Sequence, residues 1–217
     1  MFGSRSGWLV PVTLTILGLG TNLQPAKAES TNNYQFSIDY STLVNFNFNY
    51  RPDLEIVRAT ITGESTTPAL YGLDSFTSNT YGQLQPSDNP SIIKYQFNSD
   101  PGVFGLPEEP KLFDIYYGNG NNKLFGRASD RAEINTVEGT IRGGGTITIY
   151  DGEGIFKNAT GTITFTQEDR LDPTGSSRGL ATLNFNLQTP QEVPEPTTAT
   201  TLIGIGVVAA GLRIRKR

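Results

Sequence analysis

Between Leu180 and Gln188 apolar and polar residues alternate without a break, with Ala181, Leu183, Phe185 and Leu187 on one parity and Thr182, Asn184 and Asn186 on the other. Successive side chains of a strand point to opposite faces, so this stretch has one buried and one wet face. An antiparallel sheet accommodates that pattern and a helix does not. The same alternation runs through Tyr34, Phe36, Ile38 and Tyr40, through Val44, Phe46, Phe48 and Tyr50, and through Val57, Ala59 and Ile61. Further strands are expected at 91–97, 111–117, 122–126, 134–141, 146–150, 154–157 and 161–167. Turn residues divide them: Gly118-Asn119-Gly120-Asn121, Gly143-Gly144-Gly145, Asp151-Gly152, Asn158-Ala159 and Pro173-Thr174-Gly175. From Gly63 to Pro90, prolines and glycines predict a long irregular connection with one or two short strands, carrying Tyr71, Phe76 and Tyr81. Residues 128–133 are the one weakly helical stretch. The chain is therefore all-β, with many short strands arranged as an antiparallel β-barrel or, alternatively, a two-layer β-sandwich.

The two ends of the 217-residue chain are of a different kind. Residues 1–28 read as a signal peptide, with Arg5, an apolar run from Trp8 to Leu19, and a small-x-small cleavage site at Ala26 and Ala28. The exported domain then spans 29–190. Residues 191–217 hold Val193-Pro194-Glu195-Pro196, an uncharged run to Leu212, and a basic cluster of Arg213, Arg215, Lys216 and Arg217. As a helix the 16 residues from Thr197 to Leu212 would span about 24 Å, short of the roughly 30 Å hydrocarbon core. This predicts a short, weak transmembrane helix whose basic end stays inside, with the bulk of the chain outside. Pro194 and Pro196 keep the preceding segment extended, where a processing enzyme can grip it.

Those last residues resemble the PEP-CTERM sorting signal of proteins exported by Gram-negative bacteria that encode an exosortase. The resemblance implies recognition by the export machinery and an exosortase-type enzyme, a transient inner-membrane tether, removal of the tail, and a cell-surface or extracellular destination, often beside extracellular polysaccharide. In the core, Gly154-Ile155-Phe156-Lys157-Asn158-Ala159-Thr160-Gly161 is similar to a turn of allene oxide cyclase-like and dirigent-like barrels.

Composition narrows the chemistry. The chain has no Cys and no His, which removes the commonest general base, the thiol nucleophile and the best zinc ligands. With both ends gone, 11 Lys and Arg face about 20 acidic groups, a balance that argues against nucleic acid or anionic lipid as partner. Glu108-Glu109 and Asp151-Gly152-Glu153 are the nearest carboxylate groupings, and strand neighbours point apart, so neither supplies a local catalytic pair. Distant pairs such as Asp114 with Asp130 stay open. Oxygen ligands favour calcium if an ion is held, by Asp151, Glu153 or the Gly118–Asn122 loop, although no calcium-loop motif occurs. Asn158-Ala159-Thr160 reads as a turn. Tyr71, Phe76 and Tyr81 are the residues that would stack on sugar rings, or else plug the core. The expectation is an exported, non-enzymatic structural or adhesive protein without a cofactor, with a carbohydrate-binding module or a small-ligand or carbohydrate-active barrel as the alternative.

Overall fold

The computed structural model describes residues 30–172 and 176–191; the expected signal peptide, the Pro173-Thr174-Gly175 loop and the sorting tail lie outside them. Nine strands form one sheet: β1 (Thr31–Arg51), β2 (Ile56–Ser65), β3 (Ser75–Gln85), β4 (Ile92–Asn98), β5 (Asp114–Tyr117), β6 (Lys123–Asn135), β7 (Thr140–Glu153), β8 (Thr160–Leu171) and β9 (Ser176–Pro190). Its order is β2-β1-β9-β8-β7-β6-β4-β3-β5, and β2 also pairs with β3. That last pairing closes the sheet into a ring, every neighbour antiparallel. Short β5 pairs with both β3 and β6, so it shares with β4 the gap between those two strands. Closure gives the backbone groups of would-be edge strands a partner, and it leaves one sheet rather than two stacked layers.

Alternation sets which way each strand faces. Ile163, Ala181, Leu183, Phe185 and Leu187 are buried inside, whereas Thr162, Thr164, Thr182, Asn184 and Asn186 are exposed outside. The main apolar cluster joins them to Ile38, Tyr40, Phe76, Tyr116, Ile147 and Ile149. A second gathers Val57, Ala59, Tyr95, Phe97, Ile134 and Ile141 toward the other end.

Four expectations are corrected. The two strands expected at 34–40 and 44–50 are one 21-residue strand. Their apolar residues share even parity, and Thr42 continues it as a buried residue instead of breaking it. Residues 128–133 are strand, not helical turn, because Ala128, Asp130 and Ala132 face in while Ser129, Arg131 and Glu133 face out. Gly143-Gly144-Gly145 lies inside β7 rather than in a turn; the reversal is at Thr136–Gly139, where Gly139 has φ +64° and the Asn135 side chain accepts the N–H groups of Val137 and Glu138. Within 154–157 the chain makes a one-turn 3-10 helix, Gly154–Phe156, whose Phe156 is buried. The 63–90 connection holds one strand, the 11-residue β3, as its pattern allowed.

Candidate functional site

The glycines of β7 shape the most polar part of the ring. Gly143 and Gly145 pair with Ala132 and Asp130 of β6 and point inward with them, and a Cβ on Gly145 would run into the Cβ and backbone of Asp130. Removing side chains there makes room for charged ones. Asp114 from β5, Asp130 from β6, and Gln167 and Asp169 from β8 all line the interior beside Ser78 and Thr80 of β3. Two cavities of about 20 Å³ and 30 Å³ lie among them, each with room for about one water molecule and far below the several hundred Å³ of a ligand pocket.

Hydrogen bonds satisfy most of this polar layer. Ser78 Oγ donates to Asp114 Oδ1 at 2.7 Å, Thr42 Oγ1 donates to Asp169 Oδ1 at 2.7 Å, and Gln167 Nε2 donates to Asp169 Oδ2 at 2.6 Å. Asp114 Oδ2 has no partner among the described residues. Burial pushes the Asp114 carboxyl up to about 8, with the nearby Asp130 adding to it and the Ser78 bond opposing it. Burial likewise takes Asp130 to about 7 and raises Asp169. Asp130 is half-buried by area, since it also meets solvent on the far side of the wall. There it reaches an open groove of about 700 Å³, bounded by Lys94, Gln96, Ser129, Arg131, Glu133 and Thr146, over the bare Gly144.

The structure brings Asp114 and Asp130 to one cavity, the distant pair that sequence left open. It disperses the other candidates. Phe76 and Tyr81 are buried strand residues and cannot offer a face to a sugar, which corrects their reading as contacts. Phe76 packs over Gly63, and the Tyr81 hydroxyl donates to the Pro110 carbonyl at 2.9 Å. Tyr71 alone stays accessible. Glu109 accepts from the Tyr50 hydroxyl at 2.7 Å, Glu153 pairs with Lys123 at 2.8 Å, and Asp151 bonds the Gly152 N–H. Asp151 and Glu153 therefore end a strand rather than tip a hairpin. Asn158 sits in a turn at φ +59°. Among the described residues no group of three or more Asp, Glu, His or Cys is arranged to hold a metal ion. The residues that sequence reasoning passed over, Thr42, Ser78, Gln167 and Asp169, all lie on inward parity; a polar residue there was the available signal.

Comparison with known proteins adds one finding. The family model of the PEP-CTERM protein-sorting motif matches residues 192–217. The chain carries a PEP-CTERM sorting signal. The matched segment holds Val193, Pro194, Glu195 and Pro196 and the basic cluster from Arg213 to Arg217, and it starts two residues after β9 ends at Pro190. The PEP-CTERM signal implies export, recognition by exosortase-type machinery, and a surface or extracellular destination. No curated protein and no solved structure matches the chain, so the turn at Gly154–Gly161 brings no family to the ring. Among the described residues no helix is long and apolar enough to cross a membrane.

Proposed function

We propose that the protein is a non-enzymatic structural or adhesive component of the cell surface or extracellular matrix, a β-barrel exported behind its signal peptide and then cut from its tail. The observation that carries this reading is the PEP-CTERM signal joined directly to the last strand of a complete ring. Two features support it. Apart from the layer around Asp114 and Asp169 the ring is apolar inside, and it is polar outside, the reverse of a membrane-spanning barrel; its interior cavities are too small for an organic substrate. In this reading residues 199–212 cross the inner membrane before processing and Arg213, Arg215, Lys216 and Arg217 hold the end inside. The intact mass of the surface or secreted form tests it. A chain from near Glu29 to near Pro196 is expected, and a form ending at Arg217 would overturn the processing.

The outer groove favours a second reading, a binding site for a hydroxyl-rich ligand such as a polysaccharide. Its walls offer the charged groups of Lys94, Arg131 and Glu133 and the amide of Gln96. Co-sedimentation with the source organism's extracellular polysaccharide tests this. Saturable retention that falls at least fivefold in Arg131→Ala supports the groove, and no retention removes it. Turnover of the polymer that is lost in Asp130→Asn would make the domain an enzyme and overturn the first reading.

A further inference from the structure

Both ends of the ring's chain leave from the same place. Thr31 opens β1 directly opposite Pro190 at the end of β9, and the Gln191 N–H donates to the Ser30 carbonyl at 2.8 Å. Three connections crown that end: 65–75, 117–123 and 153–160. They expose Leu70, Tyr71 and Ile155, at 55%, 41% and 45% of their surface. One side chain, Asn122 of the 117–123 connection, ties it to the other two. Asn122 Nδ2 donates to the Tyr71 carbonyl at 2.9 Å, and Asn122 Oδ1 accepts from the Ile155 N–H at 3.1 Å. Tyr71 is held at φ +60°, where a bulky residue is strained unless its surroundings fix it. Its ring is fixed edge-on against Tyr34, Phe36 and Phe156, at centroid distances of 5.6, 5.1 and 5.5 Å. Tyr71 is thus held on an aromatic platform, with Leu70 and Ile155 exposed beside it in the sequence and across the Asn122 bridge.

We propose that this end of the ring rests on the lipid bilayer while the tail is attached, with Leu70, Tyr71 and Ile155 entering the interfacial layer. The inference rests on the reading that residues 199–212 enter the membrane. Seven residues separate Gln191 from Ala199, so the two are at most about 29 Å apart along the chain, and Pro194 and Pro196 favour an extended path there. Connectivity therefore presents this end, not the opposite one, to the bilayer. An exposed tyrosine between two aliphatic side chains suits the interface, where an apolar ring body and a polar hydroxyl are both solvated. The charges alongside do not oppose contact, since Lys123 pairs with Glu153 and Lys157 of the same connection has no ion-pair partner among the described residues.

The chain has no cysteine, so one introduced thiol reports alone. The chain from Glu29 to Arg217, which contains all nine strands, would be placed in phosphatidylcholine vesicles carrying a shallow nitroxide quencher. Single fluorophores would sit at Gly120→Cys on the same end, where a side chain meets open space, at Val137→Cys on the far end, and at Val207→Cys in the tail. The expected result is quenching at residue 120 at least threefold greater than at residue 137, falling to near equality in the double variant Leu70→Asp, Ile155→Asp. Leu70→Ser, a milder change at an exposed position, is expected to give an intermediate value in a chain that still melts cooperatively. Quenching at residue 207 with no excess at residue 120, or an excess indifferent to these substitutions, overturns the contact but leaves the tail inserted. An unquenched residue 207 overturns the tail reading and the contact together.

Discussion

Asp114 is fully buried, with one oxygen bonded to Ser78 and the other unpaired among the described residues. A buried carboxylate without a countercharge is costly and the neutral acid much less so, hence its shift to about 8 and that of Asp130 to about 7. Unfolded, both titrate near 4. The folded chain therefore binds more protons between about pH 4 and pH 8, and its stability falls as pH rises through that window, the reverse of ordinary acid denaturation. Asp169, also raised, acts in the same direction. Asp53 and Asp100, lowered by Arg51 and Lys111, act oppositely but are solvent-exposed and contribute little. Urea unfolding is expected to need less denaturant at pH 8.5 than at pH 5, by on the order of several kcal/mol in stability. Asp114→Asn, which keeps the shape and the acceptor for Ser78, should flatten most of that slope and stabilise the chain at pH 8.5 by about 2–4 kcal/mol. A slope unchanged by the substitution would place the effect elsewhere.

Among elements, β7 separates what local pattern can reveal from what only packing decides. Its three glycines look like a turn because glycine punctuates chains, yet two of them clear space for neighbouring strands. A Cβ on Gly144 would come 2.9 Å from the Phe165 carbonyl, and one on Gly145 would collide with Asp130, whereas one on Gly143 meets only ordinary contacts at 3.4 and 3.6 Å. Gly143→Ala is therefore expected to shift stability by less than about 1 kcal/mol, and Gly145→Ala to cost about 2–4 kcal/mol, both read from urea melts. The same reason hid β3 and the middle of β6. Their inward positions carry Ser78 and Thr80, or Ala128, Asp130 and Ala132, residues that earn inward places only through partners on other strands. At 163–165 of β8, at 181–187 of β9 and in both halves of β1 the inward residues are apolar, so alternation alone located those stretches. Asp114 and Asp130 were visible as residues, but nothing short of the β5–β6 pairing could bring them to one cavity.

For the whole molecule, closure is complete within the described residues, since β2 meets β3 and β9 lies between β1 and β8. A chain truncated after Gln191 should thus melt cooperatively within about 5 °C of one that keeps the tail, as scanning calorimetry would report. A larger loss would mean that residues beyond 191 belong to the folded unit. The placement of β9 also has a mechanical consequence. Tension transmitted through the tail enters at Pro190 and runs along the strand axis, with β1 registered against residues 176–190 on one side and β8 against residues 177–188 on the other. Two full ladders of hydrogen bonds would then be loaded in shear, all at once, rather than opened one rung at a time like a zipper. A protein moored by that terminus would hold under drag beyond the forces that peel an edge strand away.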